Sequence, residues 1–227
     1  INPVIGILIV LAVGAAAGLT NGLLLTRLNL PHPFISTLGM MNVARGLALI
    51  VTNSSPVSGL PGWVQFIGSG YIGVIPFSFI LVIAVVVFFH FFLNKTTLGR
   101  HIYAVGGNPE AARLSGIDTK KVLTWVYTIS GLMAGMGGIV LMGRVNAAYP
   151  NAGLMYELDA IAAVIIGGAS FLGGVGTIWG TLIGAMIIAV IRNGLNLLGV
   201  AASLQTVVLG AVIIVAVYID VLRRKKA

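Results

Sequence analysis

The sequence predicts an all-α membrane protein, a polytopic helical bundle with about seven membrane segments, some of them broken or short. Three observations carry that prediction. Charged residues make up 8% of the 227-residue chain, against about 25% in a soluble domain. Hydrophobic residues make up 58%, and the mean hydropathy is +1.07. The apolar residues also gather into runs of roughly 20, the length a helix needs to cross a bilayer at 1.5 Å per residue. With 13 basic and 5 acidic side chains, the chain cannot coat a water-facing surface, which excludes soluble enzymes and nucleic-acid-binding domains. Glycine, at 31 residues, is about twice its usual share of ~7%, as expected where membrane helices pack closely. The chain has no cysteine, so it has neither a disulfide framework nor a cysteine-based metal site.

Taken in order, the candidate spans are residues 4–25, 34–51, 76–93, 122–143, 158–172, 178–198 and 204–222. The second carries Asn42 and Arg45, and the fifth is short and runs into Gly173 and Gly174. Both are expected to be tilted, broken or shielded by protein. The whole of 1–227 reads as one transmembrane domain with an inserted loop at 94–121. The chain opens on Ile1-Asn2 with neither Met nor a charged leader, which reads as a fragment rather than a signal peptide.

Basic residues orient the bundle. Arg27, Lys95, Arg100, Arg113, Lys120, Lys121, Arg223, Arg224, Lys225 and Lys226 all fall on one side if every segment crosses, and that side is expected to be the cytoplasm. The loop at 52–75 is uncharged and rich in Gly, Pro and Ser, as suits an extracytoplasmic connection. Seven crossings that end inside require Ile1 outside, so an odd number of helices is expected upstream. Glycines at four-residue spacing mark the packing ridges: Gly14, Gly18 and Gly22; Gly131 and Gly135; Gly176, Gly180 and Gly184. Such ridges serve bundle packing within the chain first, and a dimer interface or moving helix second.

Residues 107–116 hold a complete short helix signal. Asn108 is the cap, Pro109 takes the first helical position, Glu110 suits the positive end of the dipole, and Gly116 is the stop. Ala111 and Ala112 keep the surface small. Such a helix suits docking in another protein's groove or resting on lipid headgroups, and its weak amphipathicity counts against the lipid reading.

The run LGRHIYAVGGNPEAARLSGI at 98–117 closely resembles the cytoplasmic coupling loop of permease subunits in bacterial ATP-binding-cassette importers of simple sugars, the ribose-type family. YELDAIAAVIIGGAS at 156–170, GTLIG at 180–184 and NGLNLLGV at 193–200 resemble that family as well, in the right order along essentially the whole chain. The resemblance implies a homodimer of permease chains of about ten helices each in the bacterial inner membrane. It also implies a separate cytoplasmic ATPase and an extracytoplasmic sugar-binding protein. About three further helices, one of them Gly-rich, would lie upstream, an odd number that agrees with the charge argument. Asn108, Pro109, Glu110, Ala111, Ala112, Arg113, Leu114 and Ser115 would then be the ATPase-coupling residues, with the loop and the C-terminus cytoplasmic.

Polar residues inside a membrane are costly and default to functional roles. Asn42 and Arg45, with Ser36 and Thr37 a turn or two earlier, are candidates for a hydrated path for a neutral sugar. The alternative for Arg45 is snorkelling to the outer interface. Asn193 and Asn196, beside Arg192, are candidates for the outer part of the same path. Glu157 and Asp159 suit a helix N-terminus, with docking of a binding protein or a gate contact as the other reading. His90, on an apolar helix, is expected to be buried and hydrogen-bonded.

The sequence lacks a G-x-x-x-x-G-K-[ST] phosphate loop, so ATP hydrolysis is assigned to another subunit and this chain to a non-enzymatic role. His32, His90 and His101 lack ligand spacing, so no metal or cofactor is expected. Asp220 is the only acidic residue in a span away from its first turn, which disfavours a self-sufficient secondary transporter. A membrane scaffold leaves Asn42 and Arg45 unexplained, and a branched-chain amino-acid permease is a related but weaker match. The leading expectation is a translocation subunit carrying a ribose-like monosaccharide.

Overall fold

The structure, a computed structural model, describes residues 3–28, 30 and 32–225. The expectations placed on Ile1, Asn2 and Lys226 lie outside the described residues. From the N-terminus the chain runs through α1 (Pro3–Arg27), α2 (Pro33–Thr52), β1 (Val57–Ser58), α3 (Gly62–Ser69), β2 (Tyr71–Ile72) and β3 (Ile75–Pro76). It continues through α4 (Phe77–Lys95), α5 (Thr97–Gly107), α6 (Pro109–Leu114), α7 (Thr119–Val145) and β4 (Ala147–Ala148). It ends with α8 (Tyr156–Ile166), α9 (Ile178–Leu197) and α10 (Ala202–Lys225).

Among the described residues six helices, α1, α2, α4, α7, α9 and α10, are long and apolar enough to cross a membrane. These are six of the seven expected spans. The seventh is α8, whose 11 residues reach about 16 Å at 1.5 Å per residue, roughly half of the ~30 Å hydrocarbon core. It stops where Gly168 takes φ +88°, a backbone region that side-chain-bearing residues avoid. Glu157 and Asp159 occupy its first turn, where carboxylates complement the helix dipole.

The chain divides into two compact units. In the first, α1 and α7 pack antiparallel through glycine. Gly14 lies against Gly131 and Gly135, Gly18 against Tyr127 and Gly131, and Gly22 against Thr124. A methyl group on Gly14 would sit 2.5 Å from the Gly131 carbonyl oxygen, so the two backbones approach as closely as a missing side chain permits. The hydroxyls of Thr26 and Thr124 meet at 3.3 Å further along the same seam. Short α3 packs on the other end of α7, Gly68 against Gly143. Antiparallel pairing of Val57 with Ala148 and Ser58 with Ala147 joins β1 to β4, while β2 and β3 form a tight hairpin. The uncharged loop at 52–75 thus contains structure that a search for 20-residue apolar runs misses.

In the second unit α8 lies antiparallel to α9, with Ala163 against Gly184 and Gly167 against Gly180. Ala162, Ala163, Ile188 and Leu209 form its buried centre across α8, α9 and α10. Large apolar side chains such as Val190, Leu197 and Ile214 point outward, the reverse of a soluble core and the arrangement that lipid demands. The glycine ridges predicted from spacing therefore serve packing within the chain.

Candidate functional site

The α5–α6 elbow is built from local capping. Thr96 starts α5 by accepting a hydrogen bond from the Gly99 amide at 3.0 Å. Asn108 serves two helices at once. Its amide donates to the Ala104 carbonyl at 3.1 Å, closing α5, and its Oδ1 accepts from the Glu110 and Ala111 amides at 3.1 and 3.0 Å, opening α6. Pro109 holds the first helical position. Gly116, at φ +84°, turns the chain out of α6, and the Ile117 amide returns to the Ala112 carbonyl at 3.0 Å. Each part of the sequence signal at 107–116 takes the place expected of it.

On the surface of α6, Arg113 donates to Glu110 at 2.6 Å. That hydrogen bond, with the charge of the guanidinium, holds the Glu110 carboxyl below its ordinary value and raises Arg113. The small face is divided. Ala112 is buried, with 4% of its surface exposed, whereas Leu114 is 78% exposed and Ala111 also points outward. Ala112 thus serves the chain's own packing, and Ala111 and Leu114 with the Glu110–Arg113 pair form the accessible surface. The stretch 97–107, read only as a flank of the loop, is the helix α5; its polar, amphipathic sequence carries no apolar run to betray it.

The end of α5 is wedged against the α8–α9 connection. Gly106 and Gly107 touch the backbone of Gly173 and Gly174, and the Tyr103 hydroxyl donates to the Gly176 carbonyl at 2.8 Å. From α10, Asp220 accepts from the Ser170 hydroxyl at 3.1 Å and the Phe171 amide at 3.2 Å. One connection is therefore held by α5, α8, α9 and α10. Sequence reasoning noted Asp220 and the Gly173-Gly174 pair without giving either a role, because these contacts join residues about 50 to 70 positions apart.

Within α2 the candidate polar residues do not share one face. Ser36 is buried and donates to the Pro33 carbonyl at 2.9 Å. Thr37 donates to the Pro33 and Phe34 carbonyls. Asn42 is exposed and its amide donates to the Leu38 carbonyl at 3.1 Å. At about 100° per residue, Asn42 and half-buried Arg45 share a face of α2, while Ser36 lies opposite Arg45. Near the far end of α9, Asn193 is exposed, and Asn196 accepts from the Gln205 side chain at 2.9 Å, which ties the α9–α10 turn. Glu157 is exposed; Asp159 instead receives one Arg192 guanidinium nitrogen on both carboxylate oxygens, at 2.7 and 2.5 Å. This pair locks α8 to α9, a contact the sequence did not reveal. His90 bonds to Asn94 at 3.2 Å and packs on Trp179; it is half-buried rather than buried, since Trp179 covers only part of the ring.

Residues 1–217 match the family model described as branched-chain amino acid transport system / permease component. The chain belongs to this permease family. The permease is 45% identical over 190 residues to the ribose import permease protein of Bacillus subtilis, covering 83% of this chain and 59% of that one. It is 42% identical over 189 residues to the galactose/methyl galactoside import permease protein of Salmonella typhimurium, covering 80% and 56%. It is 42% identical over 195 residues to the ribose import permease protein of Escherichia coli, covering 83% and 60%. The matched stretch thus spans less than two thirds of the length of these relatives. No solved structure matches the permease. The family and the six long apolar helices make it a multi-pass membrane protein.

Proposed function

We propose that this permease is the translocation subunit of an ATP-driven importer in the bacterial inner membrane and carries a monosaccharide of the ribose or galactose kind. The observation that carries the reading is the α5–α6 elbow. A capped helix outside the spans is continuous with a second helix that bears on the connection between α8, α9 and α10. Push the exposed face of α6, and the displacement passes through α5 to three membrane elements.

The rest follows from that lever. A cytoplasmic ATPase docks on Ala111, Leu114 and the Glu110–Arg113 pair, and residues 108–115 couple its movement to the bundle. Two copies of the chain enclose the path. Asn42 and Arg45 face it and offer hydrogen-bond donors to a neutral, polyhydroxylated solute, and Asn193 and Asn196 belong to its outer part. Ser36 and Thr37, whose hydroxyls are spent on the backbone of α2, shape the entry turn. An extracytoplasmic binding protein delivers the sugar near Glu157, while Asp159 with Arg192 forms a gate-like lock between α8 and α9. The C-terminus and α6 are cytoplasmic, on the side that gathers the basic residues, with α8 and the connection after it together making one crossing between α7 and α9. The family description speaks of branched-chain amino acids, but the relatives at 42–45% identity carry ribose and galactose in their names, which favours a sugar.

The test is transport by the full-length permease reconstituted with its ATPase and binding protein. Uptake of labelled ribose or galactose should require both ATP and the binding protein. Uptake that runs on an ion gradient without ATP, or that takes leucine and no sugar, would overturn the proposal.

A further inference from the structure

A cavity of about 270 Å³ opens between the last turn of α1 and the first turn of α7, with Arg27, Lys120 and Lys121 on its walls. Its charge is unbalanced. Lys121 meets Asp118 at 3.1 Å, while Arg27 and Lys120 have no carboxylate partner among the described residues. The hydroxyls in the wall give no further donors, since Thr26 donates to the Gly22 carbonyl and Thr124 to the Lys120 carbonyl. A guest therefore meets three cations and one carboxylate, which selects an anion. Phosphate oxygens suit a guanidinium fork and mobile ammonium groups.

The location distinguishes a lipid from a free ion. Arg27 ends one candidate membrane span, and Lys120 and Lys121 begin another. The cavity thus opens at the depth where headgroups lie. Trp125, one turn further into α7, lines it with 56% of its surface exposed. An indole at that level places its apolar ring among acyl chains and its N–H among headgroups. Basic pockets between membrane helices at an interface are suited to anionic lipid headgroups.

We propose that this cavity binds the phosphodiester headgroup of an anionic phospholipid through Arg27, Lys120 and Lys121. The bound lipid would brace the α1–α7 seam at the end where the chain leaves α6 for α7. The site stands whether or not the cargo is a sugar.

The experiment is a titration of the purified full-length permease with phosphatidylglycerol or phosphatidylcholine of matched acyl chains, with bound lipids counted by native mass spectrometry. One phosphatidylglycerol should be retained in clear preference to phosphatidylcholine. Lys120→Gln alone should weaken that retention about fivefold, and Arg27→Gln, Lys120→Gln and Lys121→Gln together should weaken it about 100-fold. The pair Lys95→Gln and Arg100→Gln, which removes exposed charge elsewhere, should leave it within twofold. Equal retention of the two lipids, or a triple variant that behaves like the control pair, would overturn the proposal. So would displacement of the lipid by an equal concentration of inorganic phosphate, which would make the site a free-anion site. Loss of the copurifying ATPase from the triple variant with the lipid count unchanged would mark a protein contact and overturn it too.

Discussion

Gly18 has the Tyr127 carbonyl oxygen where a side chain would begin, and a backbone atom cannot swing aside. Replacing Gly18 with Ala should therefore destabilise the α1–α7 seam by about 1–3 kcal/mol. Gly137→Ala, at a helical glycine with nothing within 4 Å, should instead gain about 0.5–1 kcal/mol. Thermal unfolding of both variants in one detergent checks the pair. Asp159→Asn leaves the Arg192 guanidinium with a weaker acceptor, and the expected loss is about 2 kcal/mol, read in the same melts. On α6 the Glu110 carboxyl is held below its ordinary value by Arg113. Its contribution to the helix is fully present above the ordinary carboxylate value and fades as pH falls through the lowered one. Amide exchange in α6 should then be level from pH 5 to 8 after correction for intrinsic rates and should rise in acid, and Glu110→Gln should abolish the rise. The caps of α6 were legible in the sequence because Asn108, Pro109 and Gly116 act within a few residues of themselves. The Asp159–Arg192 lock was not, because nothing local ties positions 33 apart.

At the scale of elements, apolar length alone located six spans, since a helix in lipid must satisfy its own backbone for the full crossing. The same criterion is blind to α3 and α5, which are short and partly polar, and it overextended α8 through the glycines that end it. Within α6, Ala112→Pro removes a helical amide and should cost about 3 kcal/mol of local stability. Faster amide exchange confined to α6 and the adjoining turn of α5 would be its signature. Along α2 the sequence grouped Ser36, Thr37, Asn42 and Arg45, but helical geometry divides them, and only Asn42 and Arg45 share a face. Asn42→Leu should accordingly lower uptake by the assembled transporter without lowering assembly, while Ser36→Ala should act on stability. Uptake unchanged by Asn42→Leu would leave that residue a packing role.

For the whole molecule, the distribution of basic residues predicts the orientation, and the absence of cysteine from these 227 residues makes it directly measurable. Cysteines introduced at Ser58 and Ser115, both exposed, should react with an impermeant reagent from opposite sides of the membrane; reaction from the same side would refute the topology. What the sequence could not convey is how the helices are tied together. Tyr103, Gly106, Gly173, Gly174 and Asp220 meet only after the chain has folded, and they join the elbow to the membrane elements it is proposed to move. If α6 drives those elements on behalf of an ATPase, a block on its exposed face must uncouple hydrolysis from uptake. Ala111 is exposed on α6, so Ala111→Trp adds bulk to the proposed docking face without entering the fold. The decisive measurement is sugar uptake together with ATP hydrolysis by the complete transporter carrying this substitution. Uptake should fall to background and hydrolysis should no longer respond to sugar-loaded binding protein, or the ATPase should be lost, with the permease inserted at its normal level. Normal uptake with normally stimulated hydrolysis would contradict it.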